Sequence, residues 1–159
     1  MSAHYFSPAP QAGHRVREVS VTLRGRTFRF LTDRAVFATR GVDHGTRLLI
    51  ETMTVREGDV ILDLGCGYGV IGLIAAALAP QGHAHLVDVN ARAVDLAREN
   101  AARNGIANVT VHVGDGVEPV RGIAFDLLLT NPPVRAGRTI VLRFFTGARD
   151  VLRPGGRFL

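Results

Sequence analysis

A glycine-rich loop is the segment of this chain whose residue types and spacing most clearly suggest chemistry. Gly67, Gly69 and Gly72 have the spacing GxGxxG, between an apolar run and a predicted helix. Glycines at such a turn let the backbone approach a ligand without a Cβ in the way. A nicotinamide dinucleotide fits this spacing, because its pyrophosphate can bind at the helix N-terminus. The loop therefore indicates a nucleotide-type cofactor but does not identify it.

Three carboxylates lie at the ends of three successive predicted strands, and their placement favours a particular cofactor. Asp63 comes directly before the loop, where a negative charge repels a pyrophosphate but attracts the ammonium and sulfonium groups of S-adenosylmethionine. Asp88 can accept from both ribose hydroxyls, and Asp115 is placed to accept from the adenine amine. We therefore predict an S-adenosylmethionine site formed by Asp63, Gly65, Gly67, Gly69, Asp88 and Asp115.

Composition excludes several other kinds of site. The chain has 159 residues, enough for one domain, and all 19 of its basic residues are arginine. Without lysine there is neither a Walker A loop nor Schiff-base chemistry. The single cysteine, Cys66, excludes an internal disulfide and a cysteine cluster for zinc, and we predict no metal site. No apolar run is long enough for a membrane span or a signal peptide, so we expect a cytoplasmic protein with no membrane partner.

The elements that must position these residues alternate between strand and helix. A β-hairpin with its turn at Gly25 comes first, followed by a helix over 45–54. Short apolar strands and helices then alternate, which predicts a doubly wound, mostly parallel α/β sheet whose ligands bind at the carboxyl ends of the strands. Strands are predicted at 60–64, 84–89, 109–113 and 125–130, with a fifth after the turn at 154–156, and helices at 70–78, about 91–104 and 140–152.

Residues 28–159 resemble the class I S-adenosylmethionine-dependent methyltransferases. The resemblance lies in VILDLGCGYG at the glycine loop, VDVN after the second strand of the alternating part, and TNPP after the fourth. HYFS, LTDRAVFATRGVDHGTRLLIE and NPPVRAGR are similar to segments of the ribosomal RNA guanine-N2 methyltransferases and their methyltransferase small domain relatives. This resemblance implies a Rossmann-like methyltransferase fold, S-adenosylmethionine as cofactor and ribosomal RNA as substrate.

The TNPP segment is the predicted catalytic corner. Asn131, Pro132 and Pro133 follow the strand expected to lie next to the one that bears Asp63. The exocyclic amine of a purine is a poor nucleophile, because its lone pair is delocalised into the ring. The Asn131 side-chain oxygen and the Pro132 carbonyl could accept from that amine and direct its lone pair at the methyl carbon, on a backbone that two prolines stiffen.

Residues next to this corner are the predicted contacts to the substrate. Val134 stands where many amino-methyltransferases have an aromatic residue that stacks on the target base, so Phe37 or Tyr5 would have to supply the stacking surface. Arg135 and Arg138 could contact phosphates. The net charge of +5 agrees with a nucleic-acid partner, but an arginine-rich solvated surface would give the same charge.

We expect an N-terminal arm and hairpin over 1–42 and a methyltransferase domain over 43–159 that is C-terminally incomplete, because the family's sheet normally continues into a final hairpin. The sequence predicts no oligomeric state. Three alternatives stay open at this point. They are a methyltransferase for another amine (protein glutamine, DNA adenine or a small molecule), a nicotinamide oxidoreductase, and a truncated S-adenosylmethionine-binding module without catalytic activity.

Overall fold

A computed structural model describes residues 15–33, 41–132 and 137–159 of the chain. Its main feature is a five-stranded parallel sheet in the order β5-β4-β3-β6-β7. The strands are β3 (Val60–Leu64), β4 (His83–Asp88), β5 (Val109–Val113), β6 (Phe125–Leu129) and β7 (Leu152–Phe158). The chain runs outward from β3 to β5 and then returns to the other side of β3, so the carboxyl ends of β3 and β6 form the switch point where ligands bind in such sheets.

Helices cover both faces of this sheet, as the sequence predicts. They are α1 (His44–Thr52), α2 (Val70–Leu78), α3 (Ala91–Arg103) and α4 (Arg138–Val151). One apolar core lies between the sheet and α1 to α3, and a second lies between the opposite face and α4. None of the described helices combines the length and apolarity that crossing a bilayer requires.

The predicted hairpin is present as β1 (Arg17–Leu23) and β2 (Arg26–Thr32). Arg24 and Gly25 form its turn with φ of 53° and 76°, the positive values that two-residue hairpin turns require. Phe28 and Phe30 are completely buried and belong to the first apolar core. The hairpin therefore shares its core with the sheet.

Asn100 of α3 and Asn104, the C-cap of this helix, pair with the backbone of β2. Asn100 accepts from Leu31 N at 2.7 Å and donates to Leu31 O at 2.9 Å. One helical turn later, Asn104 accepts from Arg29 N at 2.9 Å and donates to Arg29 O at 2.7 Å. Each amide thus satisfies one donor and one acceptor of the strand, as a neighbouring strand would.

The predicted strands and helices that precede the last strand are confirmed, with their ends shifted by two residues at most. A difference concerns Pro154, Gly155 and Gly156, which were expected to form a turn before the last strand. They lie inside β7, where the pairing with β6 changes register between Phe125 and Leu127. An irregularity of this kind absorbs the left-handed Gly155, whose φ is 76°, without ending the strand.

Candidate cofactor and substrate site

The glycine loop joins β3 to α2 and takes its shape from three left-handed backbone positions. Gly65, Gly67 and Gly69 have φ of 74°, 56° and 99°, where residues with a Cβ are strained. The N–H groups of Gly65 and Cys66 donate to the Val87 carbonyl at 2.9 and 3.0 Å. The three glycines predicted for the cofactor therefore lie together, fixed to the neighbouring strand.

Asp88 ends β4 and holds the same loop from its other side. Its Oδ2 accepts from Gly67 N at 2.8 Å, and its Oδ1 accepts from Asn90 N at 2.9 Å. The residue is only 3% exposed but borders the cavity described below. Asp88 therefore shapes the glycine loop in addition to lying where a ribose contact was predicted.

Asp63 lies beneath the loop and is completely buried. Its Oδ2 accepts from Gly72 N at 2.8 Å in the first turn of α2, whereas its Oδ1 has no hydrogen-bond partner among the described residues. Burial raises the pKa of Asp63 to about 7; the Gly72 hydrogen bond opposes the rise, and the nearby Asp88 carboxylate adds to it. Asp63 is not among the residues that border the cavity, so its direct contact with a cofactor stays a prediction.

Gly72, the last glycine of the GxGxxG spacing, serves helix packing. An ideal Cβ there would lie 2.6 Å from Leu86 Cγ and 2.9 Å from Asp63 Oδ2. The absence of a side chain lets α2 approach the sheet closely enough for the Gly72 N–H to reach Asp63.

A cavity of about 420 Å³ opens at the carboxyl ends of β3, β4 and β5. Its volume lies in the range of small-molecule sites, roughly 300 to 1,000 Å³. The end of β4 contributes Asp88, and the loops after β3 and β5 contribute Gly65 and Asp115. Helix α4 closes the opposite side with Ile140, Arg143, Phe144 and Gly147. Three predicted cofactor residues thus border one cavity.

Asn131 follows β6 and borders this cavity and a smaller one of about 50 Å³ beside it. Its Nδ2 donates to Thr46 Oγ1 at 2.9 Å and is 3.4 Å from Asp43 Oδ1. The preceding residue, Thr130, donates through its hydroxyl to Leu64 O at 2.7 Å. As predicted, the strand that precedes Asn131 lies next to the strand of Asp63, since Leu129 of β6 pairs with Asp63 of β3.

The other predicted substrate residues are only partly described. Pro132 is half-buried next to Asn131, and Arg138 is exposed at the first residue of α4. Four of the predicted residues lie outside the described part of the chain, as does Tyr5; the four are Phe37, Pro133, Val134 and Arg135.

The sequence did not single out two features of this site. Asp43 and Thr46 lie at the start of α1, and nothing in the sequence indicates that they meet Asn131, which is 88 and 85 positions away. Phe144 packs so close that an ideal Cβ on Gly65 would lie 3.2 Å from its Cε2 atom. The amphipathic pattern of α4 predicts an inward face but not which residues face the loop.

Cys66 sits inside the loop as a small buried residue. It is 8% exposed, and its thiol donates to Gly67 O at 3.4 Å. Burial raises the pKa of this thiol, and the Asp88 and Asp63 carboxylates raise it further. The thiol is therefore kept protonated.

Comparison with known proteins decides the family. A family model describing the methyltransferase small domain matches residues 27–159. The chain belongs to this family. Membership in a methyltransferase family excludes the alternative that this chain is a nicotinamide oxidoreductase.

Relatives and solved structures agree with this assignment. The chain is 41% identical to the uncharacterized protein YbxB of Bacillus subtilis, over 98% of this chain and 79% of that protein. It is 36% identical to the ribosomal RNA large subunit methyltransferase G of Streptomyces avermitilis, over 76% of this chain but only 33% of the relative. The structure matches the T. thermophilus 16S rRNA N2 G1207 methyltransferase RsmC, solved with AdoMet and guanosine, at a TM-score of 0.83 and 27% identity, over 94% of this chain and 42% of RsmC. The chain thus spans about a third to two fifths of the length of these named methyltransferases.

The cofactor of this methyltransferase domain is S-adenosylmethionine, and the charges of the cavity fit it. Four carboxylates and two arginines border the cavity: Asp88, Asp115, Glu118, Asp150, Arg121 and Arg143. Both arginines are paired, since Arg143 contacts Asp115 and Arg121 contacts Glu118, each at 2.6 Å. An excess of carboxylate suits a cationic ligand, whereas a pyrophosphate would need the arginines that are already paired.

Proposed function

We propose that this chain transfers a methyl group from S-adenosylmethionine to an exocyclic amine of guanine in ribosomal RNA. The observation that carries the proposal is the position of Asn131, which borders the cofactor cavity and has its amide nitrogen engaged by Thr46 and Asp43. Its side-chain oxygen is thereby left for a donor such as an amine. The RsmC structure, whose enzyme is named for N2 of a guanine and which contains guanosine, supports this substrate. Such a substrate would place the protein in the cytoplasm.

Catalysis would come mainly from orientation. Bound S-adenosylmethionine supplies an electrophilic methyl group on a positively charged sulfur. Asn131 Oδ1 and the Pro132 carbonyl would accept from the two N–H bonds of the target amine and so direct its lone pair. Holding a reactant in this way can contribute several kcal/mol, up to about 7 to 11 in model systems. No strong base is needed, because the methylated ammonium is acidic and can lose its proton to water.

Arginines near the corner would bind the RNA backbone. Arg138 is exposed at the start of α4, the helix that closes the cavity. Arg135 is proposed for the same role, and Phe37 and Val134 for contact with the target base. A planar guanidinium binds phosphate through two parallel hydrogen bonds, so the chain's exclusive use of arginine agrees with this role.

Transfer of labelled methyl from S-adenosylmethionine tests the proposal. Ribosomal RNA from a strain that lacks the gene is the main substrate, and DNA and protein are offered in parallel. We expect label only in RNA, and N2-methylguanosine after digestion to nucleosides and mass spectrometry. Label only in DNA or protein, or on another nucleoside, would contradict the proposed substrate.

Asn131→Ala is the variant that tests the mechanism. Its affinity for S-adenosylmethionine, measured by calorimetry, should equal that of the wild type, because the cofactor carboxylates and the glycine loop are untouched. Its rate of transfer should fall by about a hundredfold, since the amine loses its orienting acceptor. A wild-type rate for this variant would remove Asn131 from the mechanism.

A further inference from the structure

The amide of Asn131 is held by two residues at the start of α1. We propose that Asp43 and Thr46 are positioning residues that fix which end of this amide faces the substrate. The inference rests on the proposed function, in which Asn131 Oδ1 accepts from the target amine. It adds two residues to the reaction that the cofactor and substrate predictions did not include.

Hydrogen-bond chemistry decides the orientation of the amide. Thr46 Oγ1 donates its only proton to Asp43 Oδ2 at 2.7 Å, so this hydroxyl can only accept from Asn131. Asp43 Oδ1, which accepts from Thr46 N, lies 3.4 Å from the same amide nitrogen. The group that faces both oxygens must therefore be the NH₂ of Asn131. A flipped amide would bring Asn131 Oδ1 against acceptors and turn the NH₂ toward the substrate, where it could not accept from an amine.

The two residues are themselves held in place. Asp43 is the N-cap of α1, and its Oδ1 accepts from Thr46 N at 3.0 Å. Thr46 is only 8% exposed. The capping interactions that begin the helix thus also present two acceptors to Asn131. Because both partners belong to one helical turn, they form a fixed support for the amide.

Gly45, between these two residues, lies beside the amide. An ideal Cβ at this exposed position would lie 3.7 Å from Asn131 Nδ2 and 3.8 Å from its Oδ1. The start of α1 therefore supports the amide through the side chains of Asp43 and Thr46, and the glycine between them adds none.

Two variants remove the support while keeping the shape of the site. Thr46→Val removes the hydroxyl that accepts from Asn131. Asp43→Asn keeps an N-cap of similar quality, but its NH₂ can donate to Thr46 Oγ1, which frees the hydroxyl proton to face Asn131 and favours the flipped amide. For both variants we expect kcat to fall about tenfold or more, with KM for RNA and the affinity for S-adenosylmethionine unchanged. Thr46→Ser keeps the hydroxyl and should restore most of the rate.

A control threonine lies on the same helix. Thr52 is the last residue of α1, at the end opposite to Thr46, and donates to Leu48 O at 2.7 Å. Thr52→Val thus removes a hydroxyl from the same helix, and it should leave kcat unchanged. Melting temperatures of all variants show whether a loss of rate follows a loss of folded protein.

A double-mutant cycle with Asn131→Ala separates positioning from general stability. If Thr46 acts through Asn131, Thr46→Val should lower the single-turnover rate about tenfold in the wild type and less than about twofold in Asn131→Ala. Equal losses in both backgrounds, or wild-type rates for both Thr46→Val and Asp43→Asn, would overturn the inference. A wild-type rate for Asn131→Ala alone, or RNA that is not methylated, would instead contradict the proposed function.

Discussion

At the scale of single residues, the buried Asp63 carboxyl group links the cofactor loop to pH. One of its oxygens accepts from Gly72 N, and the other has no partner among the described residues. Its pKa rises from 3.8 to about 7, mainly because burial disfavours the charged form. Between these two values the folded protein holds a proton that the unfolded chain has released. The stability of the fold should therefore decrease as pH rises through this range.

The variant Asp63→Asn tests this linkage. Its amide oxygen can still accept from Gly72 N, but the side chain carries no charge at any pH. We expect the variant to gain in free energy of unfolding relative to the wild type as pH rises from about 4 to about 8, by at most roughly 4 kcal/mol. Urea denaturation of both proteins at several pH values measures the difference in their free energies of unfolding. The contributions of the other titrating groups cancel in this difference, because both proteins contain them. Parallel pH profiles would show that Asp63 is ionised throughout.

The sequence predicts the position of each carboxylate but not its contacts. All three are predicted at strand ends, and the structure places Asp63 next to the last residue of β3, Asp88 at the end of β4 and Asp115 in the loop after β5. Asp88 holds the glycine loop and Asp115 pairs with an arginine of α4, whereas Asp63 supports α2 from below. Strand periodicity fixes where a residue lies along the sheet. Its partners depend on distant elements, which one sequence does not specify.

At the scale of elements, the hairpin is attached to α3 through side-chain amides. β1 covers one edge of β2, and Asn100 and Asn104 pair with backbone groups of Leu31 and Arg29. Asn100 also donates to Tyr68 O at 2.9 Å, which connects the hairpin to the glycine loop. Side chains of a helix thus satisfy backbone groups that a further strand would otherwise pair with.

Replacing these asparagines should destabilise the protein to different extents. Asn100→Ala leaves three backbone groups without a partner at a completely buried position. We expect a loss of about 3 kcal/mol in the free energy of unfolding. Asn104→Ala serves as the matched variant and should cost only about 1 kcal/mol, because water can reach its partners. Urea denaturation measures both values, and equal losses would contradict the role given to burial.

Element types and order could be predicted because apolar periodicity and glycine positions specify them locally. The strand over 60–64 and the helix over 70–78 have the predicted bounds. The pairing of Asn100 with β2 could not be predicted, because an asparagine inside a helix carries no information about a strand 69 residues earlier. The same holds for Asn131 and Thr46. Contacts between distant elements are set by packing rather than by local sequence.

At the scale of the whole molecule, charge is unevenly placed. The chain carries a net charge of +5, but the cofactor cavity has four carboxylates and two arginines on its walls. The positive excess must therefore lie elsewhere. Such a distribution allows a cationic cofactor and a polyanionic substrate to bind the same domain at different surfaces.

The affinities for RNA and for S-adenosylmethionine should depend differently on salt concentration. If arginines neutralise about three RNA phosphates, affinity for RNA should fall roughly twentyfold to fortyfold as salt rises from about 50 to about 200 mM. Affinity for S-adenosylmethionine should change by less than about twofold, because binding of this small ligand releases no counterions from a polyanion. Fluorescence anisotropy with labelled RNA and calorimetry with the cofactor measure the two. An RNA affinity that does not depend on salt would contradict backbone contacts by arginine.

The burial of Cys66 also affects how the protein can be labelled. Maleimide dyes react with thiolates, and this chain's only cysteine is a protonated thiol covered by its own loop. A second cysteine, introduced at exposed Arg47 on α1, would be the group that takes up the dye. A fluorophore could thus be placed on the helix that supports Asn131 without first removing the native cysteine from the glycine loop.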